Sequence, residues 1–138
     1  MPDMNDFNRA IIDEFRANGG EVGGPFEGAS MLLLTTTGAK SGERRTTPVV
    51  YLPDGERMVI FASKAGAPTN PAWYHNLLAN PTVTVEVGSE TLEANAVVTE
   101  GEEREQLFDR QAAIHPQFTE YAQKTTRRIP VIALERKG

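Results

Sequence analysis

The chain has 138 residues, a length that suits one domain with a single hydrophobic core. Its net charge of −5 and pI of about 5.1 argue against a general nucleic-acid-binding surface. Because the chain contains no cysteine, disulfides, cysteine-based zinc sites and thiol catalysis are excluded.

No targeting or membrane-spanning segment is expected. The longest apolar stretches, MLLL and VIFA, are far too short to cross a bilayer. The start of the chain, MPDMNDFNRA, lacks the basic region followed by an apolar run that marks a secretory signal. We therefore expect a cytoplasmic protein.

The first segment, DMNDFNRAIIDEFRANGG, predicts an amphipathic helix over residues 1–20. Phe7, Ile11, Ile12 and Phe15 recur at helical spacing, and Gly19–Gly20 ends the pattern. Its polar face mixes acids with bases, whereas a helix lying on a membrane is usually basic there. Packing on the domain or on a partner is therefore favoured, and contact with the inner face of the cell membrane is the alternative.

Six strands are predicted after a glycine-rich linker, EVGGPFEGAS. MLLLTTT is a buried strand, and TTPVVYL and RMVIFAS form a hairpin through PDGE. TVTVEV and TLEANAVV form a second hairpin that turns at Gly88–Ser89, with Val83, Val85 and Val87 alternating as in a half-buried strand. IPVIALER is the last strand.

Helices are predicted between and after the hairpins. TNPAWYHNLLANP is expected to have Asn70 as N-cap, Pro71 as its first helical residue and Asn80–Pro81 as its end. TEGE has capping-box spacing before REQLFDRQAAI, Pro116 ends that helix, and QFTEYAQK adds a short one. Antiparallel hairpins with interspersed helices predict an α+β protein around a small barrel.

The stretch TTTGAKSGERRTTP, residues 35–48, is unusual in so acidic a chain. Gly38 and Gly42 are expected to adopt positive φ and to turn backbone N–H groups to one side. Five side chains add donors suited to phosphate or carboxylate groups: Lys40, Ser41, Arg44, Arg45 and Thr46. A solvated hairpin end is the alternative. The loop does not have Walker A spacing, and a strand follows it where a P-loop would have a helix.

Other catalytic signatures are missing from the sequence. It has no G-x-S-x-G and no H-E-x-x-H, and its two histidines, His75 and His115, are forty positions apart. No metal site is predicted. An enzyme with this sequence would therefore depend on a bound organic cofactor.

Three segments in order resemble the deazaflavin-dependent nitroreductase family of actinobacteria, which uses coenzyme F420: LLLTTTGAKSGERRTTPVVYL, VIFASKAGAPTNPAWYHNLLANP and IHPQFTEYAQKTTRRIPVI. The resemblance covers nearly everything from Met31 to Glu135. It implies a split β-barrel related to the FMN-binding barrels of pyridoxamine-phosphate oxidases. Residues 21–138 would form the deazaflavin-binding barrel, in one domain with the helix of residues 1–20.

The resemblance also implies which residues bind the cofactor. Lys40, Ser41 and Arg45 match positions that hold its phosphate and oligoglutamate tail. Other matching positions lie beside them, on the next strand, near the deazaflavin ring or at the start of the second helix: Ala39, Thr46, Thr47, Pro48, Val49, Val50, Phe61, Ala62, Ser63, Lys64, Ala72, Trp73, Tyr74, His75 and Asn76. Trp73 is favoured as a core residue over a ring contact, and His75 has a surface role as its alternative.

The implied reaction is hydride transfer from reduced F420 to an electron-poor acceptor, such as a quinone, an activated alkene or a nitroaromatic. Ser63 and Lys64 are candidates to polarise the ring or the acceptor, and Tyr121 or His115 to supply a proton. His115, Phe118 and Tyr121 recur at three-residue steps and match pocket-lining positions of the family. Those positions are often tyrosines, so His and Phe argue against nitroimidazole turnover. Core packing is the alternative role for Phe118.

Several alternatives remain compatible with the residues. One is an FMN- or haem-binding split barrel, with FMN as the less favoured cofactor. Others are a non-catalytic deazaflavin carrier and a small anion-responsive regulatory domain. The expected partner is a small-molecule electron acceptor and not nucleic acid, and both a monomer and a homodimer fit.

Overall fold

The computed structural model describes residues 4–20, 30–63, 70–125 and 128–137, with side chains of the first helix from Arg9 onward. The elements in chain order are α1 (Met4–Ala17), β1 (Met31–Thr37), β2 (Arg44–Asp54), β3 (Arg57–Phe61), α2 (Ala72–Ala79), β4 (Thr82–Val87), β5 (Glu90–Val98), α3 (Gly101–Ile114), α4 (Gln117–Lys124) and β6 (Val131–Arg136).

The six strands form a closed barrel in the order β1-β2-β3-β6-β5-β4, and β4 pairs with β1 to close it. Every neighbouring pair is antiparallel. The predicted α+β barrel and its two hairpins are therefore confirmed. Across the described residues, no helix is long and apolar enough to cross a membrane.

The apolar run of β1 is buried on both of its faces. Leu32 and Leu34 belong to the cluster that fills the barrel, whereas Met31 and Leu33 pack outside it with Ile11 and Phe15 of α1. Successive side chains of a strand point to opposite faces, so both faces must be apolar when a helix covers the outside. The start of β1 is therefore a continuous run of apolar residues and does not alternate apolar with polar residues.

Helix α1 is held against the barrel by packing and by an ion pair. The Arg16 guanidinium donates to both carboxylate oxygens of Glu86 on β4, at 3.0 and 2.8 Å. Ile11 and Phe15, on the inner face of the helix, are buried. The predicted packing of this helix on the domain is therefore observed.

Helices α3 and α4 cover the outer face of β2, β3 and β6. Their Leu107, Phe108 and Phe118 form a second buried cluster with strand residues that include Val59 and Phe61. At the start of α3, the buried Arg104 donates twice to the Ile129 carbonyl, at 3.2 and 2.7 Å. Its guanidinium also lies 4.9 Å from the Phe108 ring centre, a cation–π distance.

A second attachment joins α3 to the turn between β2 and β3. The Asp54 carboxylate accepts hydrogen bonds from Arg57 and from Arg110, the latter at 2.9 Å. These two bonds, Arg57 first, hold the pKa of Asp54 below its ordinary value of 3.8. The ionised form is thus favoured by folding. Its contribution to stability is fully present above pH 3.8 and is lost as the pH falls through the lower pKa of the folded state.

We expect Asp54→Asn to lower the free energy of unfolding by about 1 kcal/mol at pH 7, because the carboxyl is about 25% exposed and the pairs are partly screened. The deficit should shrink as the pH falls below 3.8. Chemical denaturation at pH 7 and pH 3 measures it, with Asp109→Asn on the exposed face of α3 as the control. A deficit independent of pH would contradict the assignment.

Two predicted helix starts are wrong. The N-cap of α2 is Pro71 in extended conformation and not Asn70, so the helix begins one residue later, at Ala72. The N-cap of α3 is Glu100, without a side-chain cap. The Thr99 hydroxyl, expected to cap that helix, donates instead to the Val131 carbonyl at 2.8 Å. A tertiary partner has taken the place of the local one.

Candidate active site

The segments that carry the predicted site residues meet at one end of the barrel. β1 and β3 both pair antiparallel with β2, so both strands run toward the same end of the barrel, the rim, although β1 pairs with residues 44–50 of β2 and β3 with residues 51–54. The loop of residues 38–43 follows β1, and Ala62–Ser63 follows β3. Helix α2 connects the two segments, because Asn76 accepts a hydrogen bond from the Ala39 N–H of the loop, and Trp73 packs in the same buried cluster as Ala62.

The basic loop is folded by its own hydrogen bonds. The Gly38 N–H donates to the Glu43 carbonyl at 2.7 Å, and the Gly42 N–H donates to the Gly38 carbonyl at 3.0 Å. Gly42 has the expected positive φ, 72°, but Gly38 does not. A Cβ at position 38 would lie 2.5 Å from the Ser41 Oγ, so Ser41 would have to change rotamer and lose its hydrogen bond from the Glu43 N–H. The expectation of positive φ at Gly38 is wrong.

Two of the three loop cations remain available to an anion. Arg44 donates to the Thr84 Oγ1 on β4 at 2.7 Å. Arg45 lies 3.6 Å from the Glu43 carboxylate, and both side chains are more than 60% exposed, so this pair is weak. None of the ion pairs among the described residues involves Lys40, which is exposed. Lys40 and Arg45 can therefore bind phosphate or carboxylate groups.

The predicted contacts of β2 lie on two faces of the strand. Val49 packs with the cluster inside the barrel, and Val50 packs with the α1 cluster outside it. By alternation, Arg45 and Thr47 share the face of Val49, whereas Thr46 and Pro48 share the face of Val50. The Thr46 hydroxyl is hydrogen-bonded to that of Thr35 at 2.8 Å. A ligand that contacts the side chains on one face of β2 can therefore contact the residues of the other face only through their backbone atoms.

Helix α2 closes the rim above the barrel interior. Trp73, 8% exposed, and Leu77 belong to the interior cluster that also contains Ala62. Trp73 is thus the core residue that the sequence favours, and His75 and Ala72 are exposed. Tyr74 is half-buried, with its ring centre 5.7 Å from that of His75.

The three predicted acceptor-pocket residues form one aromatic group beside the end of β3. The ring centre of Phe118 lies 5.6 Å from that of Phe61, 5.2 Å from that of Tyr121 and 6.3 Å from that of His115. Phe118 is 7% exposed, whereas Tyr121 and His115 are half-buried. The buried Phe118 ring therefore packs against the two more exposed polar residues, Tyr121 and His115, and supports them.

Two predicted residues and one cavity remain to be placed. Ser63 is buried at the rim, and Lys64 lies outside the described residues. A cavity of about 610 Å³ lies at the opposite end of β2, where Tyr51, Met58 and Arg136 line it. This cavity does not contain the predicted site residues. The predicted site depends on the exposed cations Lys40 and Arg45, which can hold an anionic ligand without an enclosed cavity.

Comparison with known proteins identifies the family. The family model described as F420H(2)-dependent quinone reductase matches residues 7–136. The chain belongs to the F420H2-dependent quinone reductase family. It is 38% identical over 129 residues to the F420H2-dependent quinone reductase of Mycobacterium tuberculosis (strain H37Rv), a match that covers 89% of this chain and 85% of the relative.

Solved structures agree with this membership. An F420-H2 dependent reductase, FDR-A, is similar with a TM-score of 0.71 at 42% identity, over 77% of this chain and 94% of the relative. A chain described as a domain-swapped dimer has a TM-score of 0.73 at 36% identity, over 96% of this chain and 100% of the relative. The resemblance seen in the sequence is confirmed, and with it the split barrel, the oxidoreductase class and F420 as cofactor.

The residues of the rim fit such a cofactor. Its tail is polyanionic, and Lys40 and Arg45 are exposed cations. The sequence did not predict that the buried side-chain amide of Asn76 forms hydrogen bonds with Ala39 and Thr36 of the protein itself. The available signal was the i, i+4 spacing of Asn76 and Asn80, which places two amides on one face of α2.

Proposed function

We propose that this protein transfers a hydride from reduced F420 to a quinone. The observation that carries the proposal is the combination, in a chain of this family, of two exposed cations after β1 with an aromatic group beside the end of β3. Reduced F420, when bound, supplies the hydride. Activated alkenes and nitroaromatics are the other acceptor classes to test.

Each part of the rim has a distinct role in this proposal. Lys40, Ser41 and Arg45 hold the phosphate and oligoglutamate tail by charge-assisted hydrogen bonds. Phe61 to Ser63 and the start of α2 border the ring. Tyr121, supported by Phe118, borders a planar acceptor and restricts its orientation, which lowers the entropic part of the barrier. Lys64 is a further candidate to polarise the acceptor.

The proton is proposed to come from Tyr121, with His115 as the alternative donor. Tyr121→Phe keeps the ring and its packing on Phe118 but removes the hydroxyl. We expect kcat to fall by about 100-fold, the low end of general acid catalysis, with unchanged affinity for F420. Tyr51→Phe, at the other end of β2, is the matched control. Normal turnover by Tyr121→Phe would leave His115 or water as the donor.

One experiment tests the function directly. Oxidised F420 is titrated into the protein, and oxidation of the reduced form is then followed with quinones, enones and nitro compounds. Oxidation by quinones supports the proposal. Binding without oxidation by any acceptor would support a non-catalytic carrier, and tight FMN binding without a response to F420 would support the FMN- or haem-binding alternative. No affinity for any chromophore would favour the regulatory domain.

The assembly and place of action are also proposals. A relative at 36% identity is described as a domain-swapped dimer, which supports a homodimer over a monomer here. Light scattering distinguishes the two. We propose action in the cytoplasm, because the cofactor must be reduced again after each turnover. Membrane association through α1 is less favoured, since Ile11 and Phe15 are covered by the barrel; vesicle flotation tests it.

A further inference from the structure

The side chain of Asn76 lies where α2, β1 and the basic loop meet. It is 9% exposed. Its Oδ1 accepts a hydrogen bond from the Ala39 N–H at 3.0 Å, and its Nδ2 donates to the Thr36 Oγ1 at 3.2 Å. One amide thus connects the end of the strand with the second residue of the loop.

These bonds give the loop its attachment to the body of the protein. The other hydrogen bonds of residues 38–43, within the described part of the chain, join loop residues to each other. Asn76 is fixed in turn, because its neighbours Trp73 and Leu77 are buried inside the barrel. Asn80, one turn later, adds a longer bond to the Thr37 carbonyl at 3.4 Å.

We propose that Asn76 is a positioning residue for cofactor binding, which acts through Ala39 and does not contact the cofactor. By holding the Ala39 backbone it orients the adjacent Lys40, so that the loop is ordered before the anionic tail arrives. A preordered loop loses less conformational entropy on binding, and affinity rises accordingly. The resemblance implies a direct contact for Asn76, but the structure uses both ends of its amide within the protein. The inference rests on the proposed function for the identity of the ligand.

The test compares Asn76→Leu with two controls. Leucine is similar in size but makes neither hydrogen bond. Asn76→Asp retains an acceptor for the Ala39 N–H. Thr36→Val removes only the second bond of the amide. The measurements are hydrogen exchange of the Ala39 amide in the free protein, and affinity for oxidised F420 with short and long glutamate tails, with and without Lys40→Ala.

For Asn76→Leu we expect faster exchange of the Ala39 amide and about fivefold to tenfold weaker F420 binding, as expected for one lost hydrogen bond. Lys40→Ala should then weaken binding less than it does in the natural chain, because a disordered loop already uses that charge poorly. Asn76→Asp and Thr36→Val should retain Ala39 protection. Thr36→Val should also retain most of the affinity, whereas the new carboxylate of Asn76→Asp repels the anionic tail and should weaken binding in a salt-dependent way. Asn76→Ala, which also lacks both hydrogen bonds, keeps the test valid if the leucine variant does not fold.

Three results would overturn the inference. The first is weaker F420 binding by Asn76→Leu with full protection of the Ala39 amide, which would mean that Asn76 contacts the cofactor directly. The second is faster exchange of the Ala39 amide with unchanged F420 affinity. The third is full additivity of the affinity losses of Asn76→Leu and Lys40→Ala. The exchange measurement needs no cofactor and the titration needs no turnover. Failure of quinone reduction would therefore leave this inference standing, and failure of F420 to bind the natural chain would be seen separately.

Discussion

Replacing Arg45 by alanine is expected to weaken F420 binding by about tenfold, the value of one charge-assisted hydrogen bond at an exposed site. Lys40→Ala should have a similar effect. Both losses should grow with the length of the glutamate tail, because more carboxylates then meet the loop. They should shrink in high salt, because the Debye length falls from about 10 Å at 0.1 M to about 3 Å at 1 M and the charge pairs are then screened.

The adjacent Arg44 provides the control. Arg44→Ala makes the same change of charge, but this side chain lies on the other face of β2 and bonds to Thr84. It should leave the affinity nearly unchanged. Fluorescence titration of oxidised F420 at two salt concentrations measures all three variants. Equal losses for Arg44→Ala and Arg45→Ala would show that only net charge matters and would remove the assigned site.

Replacing Phe118 by alanine is expected to lower the free energy of unfolding by about 3–5 kcal/mol, because a buried ring is removed among other aromatic rings. That is a large part of the about 5–15 kcal/mol of a typical domain. Phe118→Leu should cost less and leave a folded protein. In this variant kcat should fall while the affinity for F420 remains, since Phe118 supports Tyr121 and His115 but not the basic loop.

The control for Phe118→Leu is Phe15→Leu. Phe15 is 1% exposed on the inner face of α1, where it packs against Met31 and Leu33 of β1, away from the aromatic group. It should reduce stability to a similar degree without changing kcat. Thermal unfolding and steady-state kinetics of the two variants measure this difference. If both variants lose activity in proportion to stability, Phe118 has only a core role.

The sequence predicted the strands well because their signals are local. PDGE and Gly88–Ser89 turn the chain whatever surrounds them, and the observed hairpins turn there. The helix starts depend on tertiary partners: Thr99 has capping spacing, but the Val131 carbonyl is available on β6 and takes its hydroxyl. Gly38 likewise does not adopt the positive φ expected of it, and a side chain there would displace the neighbouring Ser41 hydroxyl.

For the site, the sequence predicted the segments but not the faces. Residues 46–50 were predicted as one set, yet alternation along β2 divides them between the inside and the outside of the barrel. Asn76 was predicted as a ligand, whereas its amide is bonded to Thr36 and Ala39. Neither property can be read from residue types, because each depends on which strand or helix lies opposite.

The attachment of α3 has a consequence for how such enzymes diversify. Arg104 fastens one end of the helix to the Ile129 carbonyl, and Arg110 fastens its last turns to Asp54. Helix α4 continues from this fixed support, while the cations that would bind F420 belong to another loop. If residues 115–121 border the acceptor as proposed, mutations there would alter which acceptor is reduced without disturbing the binding of the coenzyme, and new acceptor ranges could evolve with one unchanged cofactor.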